Sequence, residues 1–196
     1  RQSTRLRASY IEYIPLRESV PLIMDISRDR EIPKYASNLV FLSRSMKKDL
    51  IESKLLYSIT IKQPKRADHY WLIHVDYVDE PDTLEYTVDT IEPHSVFLVT
   101  MHLGFRVQPR LSVYLREVVE DLVARGEVDL TSTYPSLRSA GIPGDFRFII
   151  LHRIFSPSSN CRRRESFLVR MHAFLKRLGV SDQSALGLDT SIVTFD

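Results

Sequence analysis

Three polar side chains alternate along the segment HLGFRVQPR: Arg106, Gln108 and Arg110. On an extended chain, alternate residues share one side. Two guanidiniums and an amide placed there can hold a phosphate or a carboxylate through paired N–H donors. Pro109 biases Gln108 towards extended backbone and removes one backbone donor. The apolar run SVFLVTM precedes the segment and LSVYLREVVEDLVARG follows it. A strand therefore hands over to an amphipathic helix, a junction where α/β proteins often place anions. In the competing reading the same side chains pair with acids of the fold, such as Glu127, Asp129 or Asp145. Residue types alone favour that second reading.

Three other groupings could do chemistry. His74 and Asp76 stand two apart and so on one face of a strand, a pair suited to acid–base work or to a metal. Spacing identifies no third ligand and no nucleophile, and a hydrogen-bonded polar pair is the plainer reading. Cys161 is followed by Arg162, Arg163 and Arg164, and neighbouring cations lower a thiol's pKa. One cysteine in a serine-rich loop is more often incidental. The same arginines lead into a helix N-terminus, where positive charge is unfavourable, so they read as a solvated charge run. With no complete set of nucleophile, base and orienting group, the expectation is a protein that is not an enzyme and has no resident cofactor or metal.

The elements around these residues follow from hydrophobic period. Residues 10–16 read as a short strand. Ser19 reads as the N-cap of a short helix over residues 20–27, with Pro21 near its start. A charged loop spans 27–37, and residues 38–43 form a buried strand. Residues 47–61 read as a helix, with Ile51, Leu55 and Ile59 four apart. In the strand over residues 69–78, Trp71, Ile73, Val75 and Tyr77 take one face and Tyr70, Leu72, His74 and Asp76 the other. LEYTVDTI and SVFLVTMHL read as antiparallel neighbours. A helix over 111–125 buries Leu111, Leu115, Val118 and Leu122, with Gly126 as its C-terminal cap. A turn-rich crossover over 129–144 leads to a strand over 145–155. The last helix carries Phe167, Leu168, Met171, Phe174, Leu175 and Leu178 and closes at Gly179; SIVTF is a final strand. Strands alternating with helices, with one antiparallel pair, predict a single α/β domain with a mixed β-sheet flanked by helices.

Composition bounds the function. The chain has 196 residues, 43% of them hydrophobic, and a net charge of +2. That suits one domain and gives no global attraction to nucleic acid or to an anionic surface. Glycine is scarce, at six residues, and neither GxGxxG nor GxxxxGK[ST] occurs. The single cysteine rules out an internal disulfide, and no apolar run is long enough to span a bilayer. Residues 1–9 carry Arg1, Arg5 and Arg7 without an acid, and no methionine begins the chain. They read as a basic linker, suited to a stretch just cytoplasmic of a membrane span, ahead of a soluble domain over 10–196.

Several stretches together resemble the cytosolic C-terminal domain of Kup-type potassium transporters, the KUP/HAK/KT family. They are VPLIMDISRDREIPKYASNLVFL, KQPKRADHYWLIHVDYVDEP, HLGFRVQPR, GEVDLTSTYPSL followed by GDFRFIIL, and the ending LGLDTSIVTFD. Their order and spacing match over nearly the whole chain. The resemblance implies a regulatory domain on the cytoplasmic side of the membrane, in a transporter that takes up potassium with protons. Its partners would be the membrane domain of the same chain and a second copy in a homodimer, with no nucleic acid. Some family members respond to cyclic di-AMP through this domain, which gives Arg106, Gln108 and Arg110 a candidate ligand. The alternative is a ligand-free dimerisation or assembly domain of the same transporter. Potassium-coordinating residues would lie outside this chain.

Overall fold

Continuous apolar runs, LVFL, YWLI and VFLV, make the centre of the molecule a sheet buried on both faces. The structure is a computed structural model and describes residues 13–43, 50–150 and 192–195. In chain order the elements are β1 (Tyr13–Pro15), α1 (Leu16–Arg28), β2 (Lys34–Ser43), β3 (Leu50–Glu52), α2 (Ser53–Tyr57) and a π-helical turn (Ser58–Lys62). There follow β4 (Arg66–Val78), β5 (Leu84–Glu92), β6 (Val96–Gly104), α3 (Leu111–Ala124), α4 (Pro135–Ser139), β7 (Phe146–Ile150) and β8 (Ile192–Phe195).

Six strands form the main sheet in the order β5-β6-β4-β2-β7-β8, and β1 and β3 pair separately. All neighbours in the main sheet run parallel except the edge strand β5, which is antiparallel to β6. The predicted mixed α/β domain is what the chain forms. On one face Trp71 and Ile73 of β4 join Phe97, Val99 and Met101 of β6 beneath Leu111, Leu115, Val118 and Leu122 of α3. Trp71 and Phe97 stack with centroids 4.6 Å apart. On the other face Tyr70 and Leu72 meet Leu39 and Phe41 of β2, covered by Leu16 and Ile23 of α1 and by Leu55 and Ile59. The two predicted faces of the strand over 69–78 are therefore those observed.

Several boundaries differ from the sequence reading. Ser19 is not an N-cap. The helix already starts at Leu16, because Leu16, Ser19, Val20, Ile23 and Ile26 share its buried face. Ser19 Oγ instead donates to the Pro15 carbonyl at 3.2 Å, and Pro21 sits inside the helix, where it offers no N–H to the turn before it. The predicted helix over 47–61 is also corrected from Leu50 onward, residues 47–49 lying outside the described residues. Ile51 lies on β3, paired with Ile14 of β1, and the helix starts at Ser53. Ile51, Leu55 and Ile59 are all fully buried, so the spacing found the buried residues but not the change of backbone between them. The charged loop ends earlier than expected, since β2 begins at Lys34.

The helix over 111–125 ends as expected. Gly126 has φ +74, its N–H reaches the Val123 carbonyl, and the Glu127 N–H reaches Leu122, which is a Schellman closure. The expectations for residues 151–191, including Cys161, the arginines after it and the last helix, lie outside the described residues. Among the described residues no helix is long and apolar enough to cross a membrane.

Candidate functional site

The segment after β6 is built by a close approach. The Gly104 N–H donates to the Thr83 carbonyl at 2.8 Å, and the Arg106 N–H to the Pro81 carbonyl at 2.9 Å. A Cβ on Gly104 would stand 2.3 Å from the Glu80 carbonyl oxygen and 2.4 Å from that of Pro81. Glycine is needed there so that the β4–β5 turn can lie against the strand end. The Val107 N–H then bonds back to the Gly104 carbonyl, closing a turn through Phe105 and Arg106. That turn breaks the extended alternation from which one shared side for Arg106, Gln108 and Arg110 was expected.

All three side chains are exposed. Arg110 Nη2 donates to Gln108 Oε1 at 3.1 Å, so these two come together. The Gln108 carbonyl accepts from Tyr114 Oη of α3 at 2.6 Å, which fixes the approach of the chain to the helix. Arg106 stands apart, its guanidinium 5.7 Å from the ring centre of Phe105. The acids named as alternative partners are engaged elsewhere. Glu127 accepts from Thr90, Asp129 from the Thr131 N–H and Asp145 from the Ser37 N–H. Among the described residues neither Arg106 nor Arg110 pairs with a carboxylate. Two unneutralised guanidiniums can receive an anion. The adjoining turn weakens that capacity, because Asp79, Glu80 and Asp82 are all exposed beside it and repel an incoming anion.

Topology places the segment away from the crevice this type of sheet usually offers. From β2 the chain builds β4 and β6 on one side and then β7 and β8 on the other. The switch point lies between β2 and β7, two strands from the end of β6. The residues following β2 and β7 are outside the described residues.

His74 and Asp76 do share a face, but they are not each other's partners in a site. Asp76 Oδ2 lies 3.6 Å from Nδ1 of His102, its register partner on β6. Sequence reading passed over His102 because partners on neighbouring strands carry no fixed spacing in sequence. Among the described residues, no group of three or more His, Cys, Asp or Glu comes together to hold a metal.

A second polar cluster, also missed, occupies the other end of the sheet. Lys34 of β2 pairs with Asp68 of β4 and also donates to Thr133. Its ammonium lies 5.2 Å from the Tyr134 ring centre. Asn38 is fully buried; its Oδ1 accepts from Trp71 Nε1 at 3.2 Å and its N–H donates to the Asp145 carbonyl at 2.9 Å. Burial pushes the Asp145 carboxyl up, yet the Ser37 hydrogen bonds and Arg147 outweigh it and leave it below the ordinary value. Burial also holds His69 below its ordinary value. These residues come from positions 34, 38, 68, 69, 133 and 145, a set no local motif could reveal.

Comparison with known proteins supplies the context. The family described as the K+ potassium transporter C-terminal domain matches residues 36–194. A Cytophaga hutchinsonii protein named "Probable potassium transport system protein Kup" is 44% identical over 192 residues, which cover 98% of this chain and 29% of that protein. A protein of the same name from Flavobacterium johnsoniae is 36% identical, with 98% of this chain and 29% of that protein covered. One from Clostridium perfringens is 38% identical over 95% of this chain and 28% of its own length. The chain thus spans about 29% of the length of the relatives it matches. No solved structure matches it.

Proposed function

The chain belongs to the family of potassium transporter C-terminal domains, and from that membership we propose that it is the cytosolic regulatory domain of a Kup-type potassium uptake transporter. The observation that carries this reading is similarity along 98% of the chain to proteins named for potassium transport, of which the matched part is 29%. In this reading residues 10–196 form the domain and residues 1–9 link it to the membrane domain of the same chain. The transporter moves potassium with protons, and the domain biases it between states by binding a ligand differently in each. Arg106, Gln108 and Arg110 are the candidate contacts for a cyclic di-AMP or another nucleotide phosphate. Their support is the lack of carboxylate partners for both arginines among the described residues.

Two experiments test the proposal. Deleting the domain from the full transporter should change potassium uptake or its regulation, and unchanged uptake under every condition would overturn the regulatory role. Thermal unfolding of the domain against cyclic di-AMP, ATP, ADP and AMP tests the ligand. At a hundred times its dissociation constant a ligand adds about 2.7 kcal/mol, roughly 5–10 °C for a chain of this size. Arg106→Ala and Arg110→Ala should abolish any such shift.

One observation favours a second reading, a ligand-free assembly domain that joins two transporter chains. β5 is an edge strand of nine residues and exposes Leu84 and Tyr86, a surface able to pair with another copy. Sedimentation showing a monomer at high concentration would rule it out.

A further inference from the structure

The crossover between α3 and β7 closes over one end of the sheet. Its own frame is the Thr131–Pro143 bridge and the Gly144 N–H bonded to the Leu130 carbonyl at 3.0 Å. It is pinned to the strands where Thr133 meets Lys34 and donates to Asp68 Oδ2 at 3.3 Å. His69 of β4 stands at the same place, in register with the buried Asn38 of β2. Its Nδ1 is closed off from solvent and has no hydrogen-bond partner.

A neutral imidazole can leave one ring nitrogen without a proton, whereas the charged ring must place two N–H donors. The charged groups acting on it are Lys34 from β2, Asp68 from β4 and Asp129 from the crossover. Nearby, Asp145, the residue before β7, is held by Ser37, and Arg138 of α4 donates to the Ser132 carbonyl. The two carboxylates and the Ser37 backbone favour the charged ring, and Lys34 opposes it. Burial, the largest influence, leaves the neutral form favoured.

We propose that His69 is an acid-sensitive latch for the crossover over residues 129–144, which closes on the neutral ring and is released when the ring is protonated. The sign follows from linkage. A histidine whose pKa is lower when closed than when open favours closure fully above about 6.5, and that support is lost as pH falls. Opening then rises by up to about tenfold for each unit separating the two pKa values. The latch depends on this packing alone and stands whatever ligand the domain takes.

The test combines two measurements on the 196-residue chain. An NMR titration of the histidine C–H resonances, with His69→Gln to identify the right one, should give His69 a midpoint below 6.5. Amide exchange at Gly144, corrected for the intrinsic effect of pH, should show opening that increases from pH 7 to pH 5. The same amide in His69→Gln should show opening independent of pH. A His69 midpoint at or above 6.5 would overturn the latch, as would an equal rise in the variant. If His69→Gln fails to fold, sequence-specific backbone and side-chain assignment of the wild-type chain identifies the His69 resonance, and its midpoint decides with the wild-type exchange: a midpoint at or above 6.5, or opening that does not rise from pH 7 to pH 5, overturns the latch.

Discussion

At the scale of single residues, the structure separates what HLGFRVQPR does for the fold from what it could do for a ligand. Gly104 is fixed by the β4–β5 turn, whose carbonyls leave no space for a Cβ. Gly104→Ala should therefore push that turn away and cost about 1–3 kcal/mol, read as a fall in thermal midpoint of roughly 2–4 °C per kcal/mol. An unchanged midpoint would mean that the turn relaxes freely. Arg106 and Arg110 are exposed, so their replacement by alanine should leave the midpoint unaltered in the absence of ligand. Asn38 is the opposite case. It is fully buried, and Asn38→Ala strands the indole N–H of Trp71 in the core. A buried donor left unsatisfied costs about 1–3 kcal/mol, so the denaturant midpoint should drop markedly with its slope unchanged. Nothing in the sequence marked Asn38 as more than the start of an apolar run, because its partners lie 33 residues away at Trp71 and 107 away at Asp145.

At the scale of elements, legibility followed the length and regularity of the pattern. The thirteen residues of β4 and the fourteen of α3 repeat their periods often enough to fix both element and face. Gly126 could be read as a cap because only a residue tolerant of positive φ closes a helix in this way. Gly126→Ala places a Cβ at φ +74 and should cost about 1 kcal/mol, with amide protection falling first in the last turn of α3. Full retention of that protection would show that the closure contributes nothing. The helix expected over 47–61 fails at Ile51 because a four-residue apolar spacing also fits a strand entering a helix. Ile51 is held by pairing with Ile14, a contact made 37 residues back in the chain and invisible to any local window. Ser19 and Pro21 misled for a similar reason. Their helix-start chemistry was overruled by burial of Leu16 against the sheet, a tertiary demand stronger than a cap worth about 1 kcal/mol.

At the scale of the whole molecule, the net charge of +2 at pH 7 means that self-repulsion is small near neutrality and grows only as the carboxylates are protonated, so single-residue variants compared at each pH separate individual groups from that common background. Two of them titrate in separate ranges. His69 is held low by burial, so the stability it supports is complete above about 6.5 and is lost as pH falls below that. Asp145 is held low by its hydrogen bonds from Ser37 and by Arg147, against the opposing effect of burial. The stability it adds is complete above its unfolded value near 4 and disappears as pH falls through its lower folded value. Chemical denaturation between pH 8 and pH 2 should therefore show stability declining in two stages. The first, starting near pH 6.5, should vanish in His69→Gln. The second, below about pH 4, should shrink in Asp145→Asn while the first persists. Both groups sit at the end of the sheet where the crossover returns to β7, so a double variant tests whether they act independently. If closure of the crossover is one event supported by both, the loss in the double variant will fall short of the sum of the single losses. A simple sum would show that Ser37–Asp145 and His69 stabilise separate parts of the sheet.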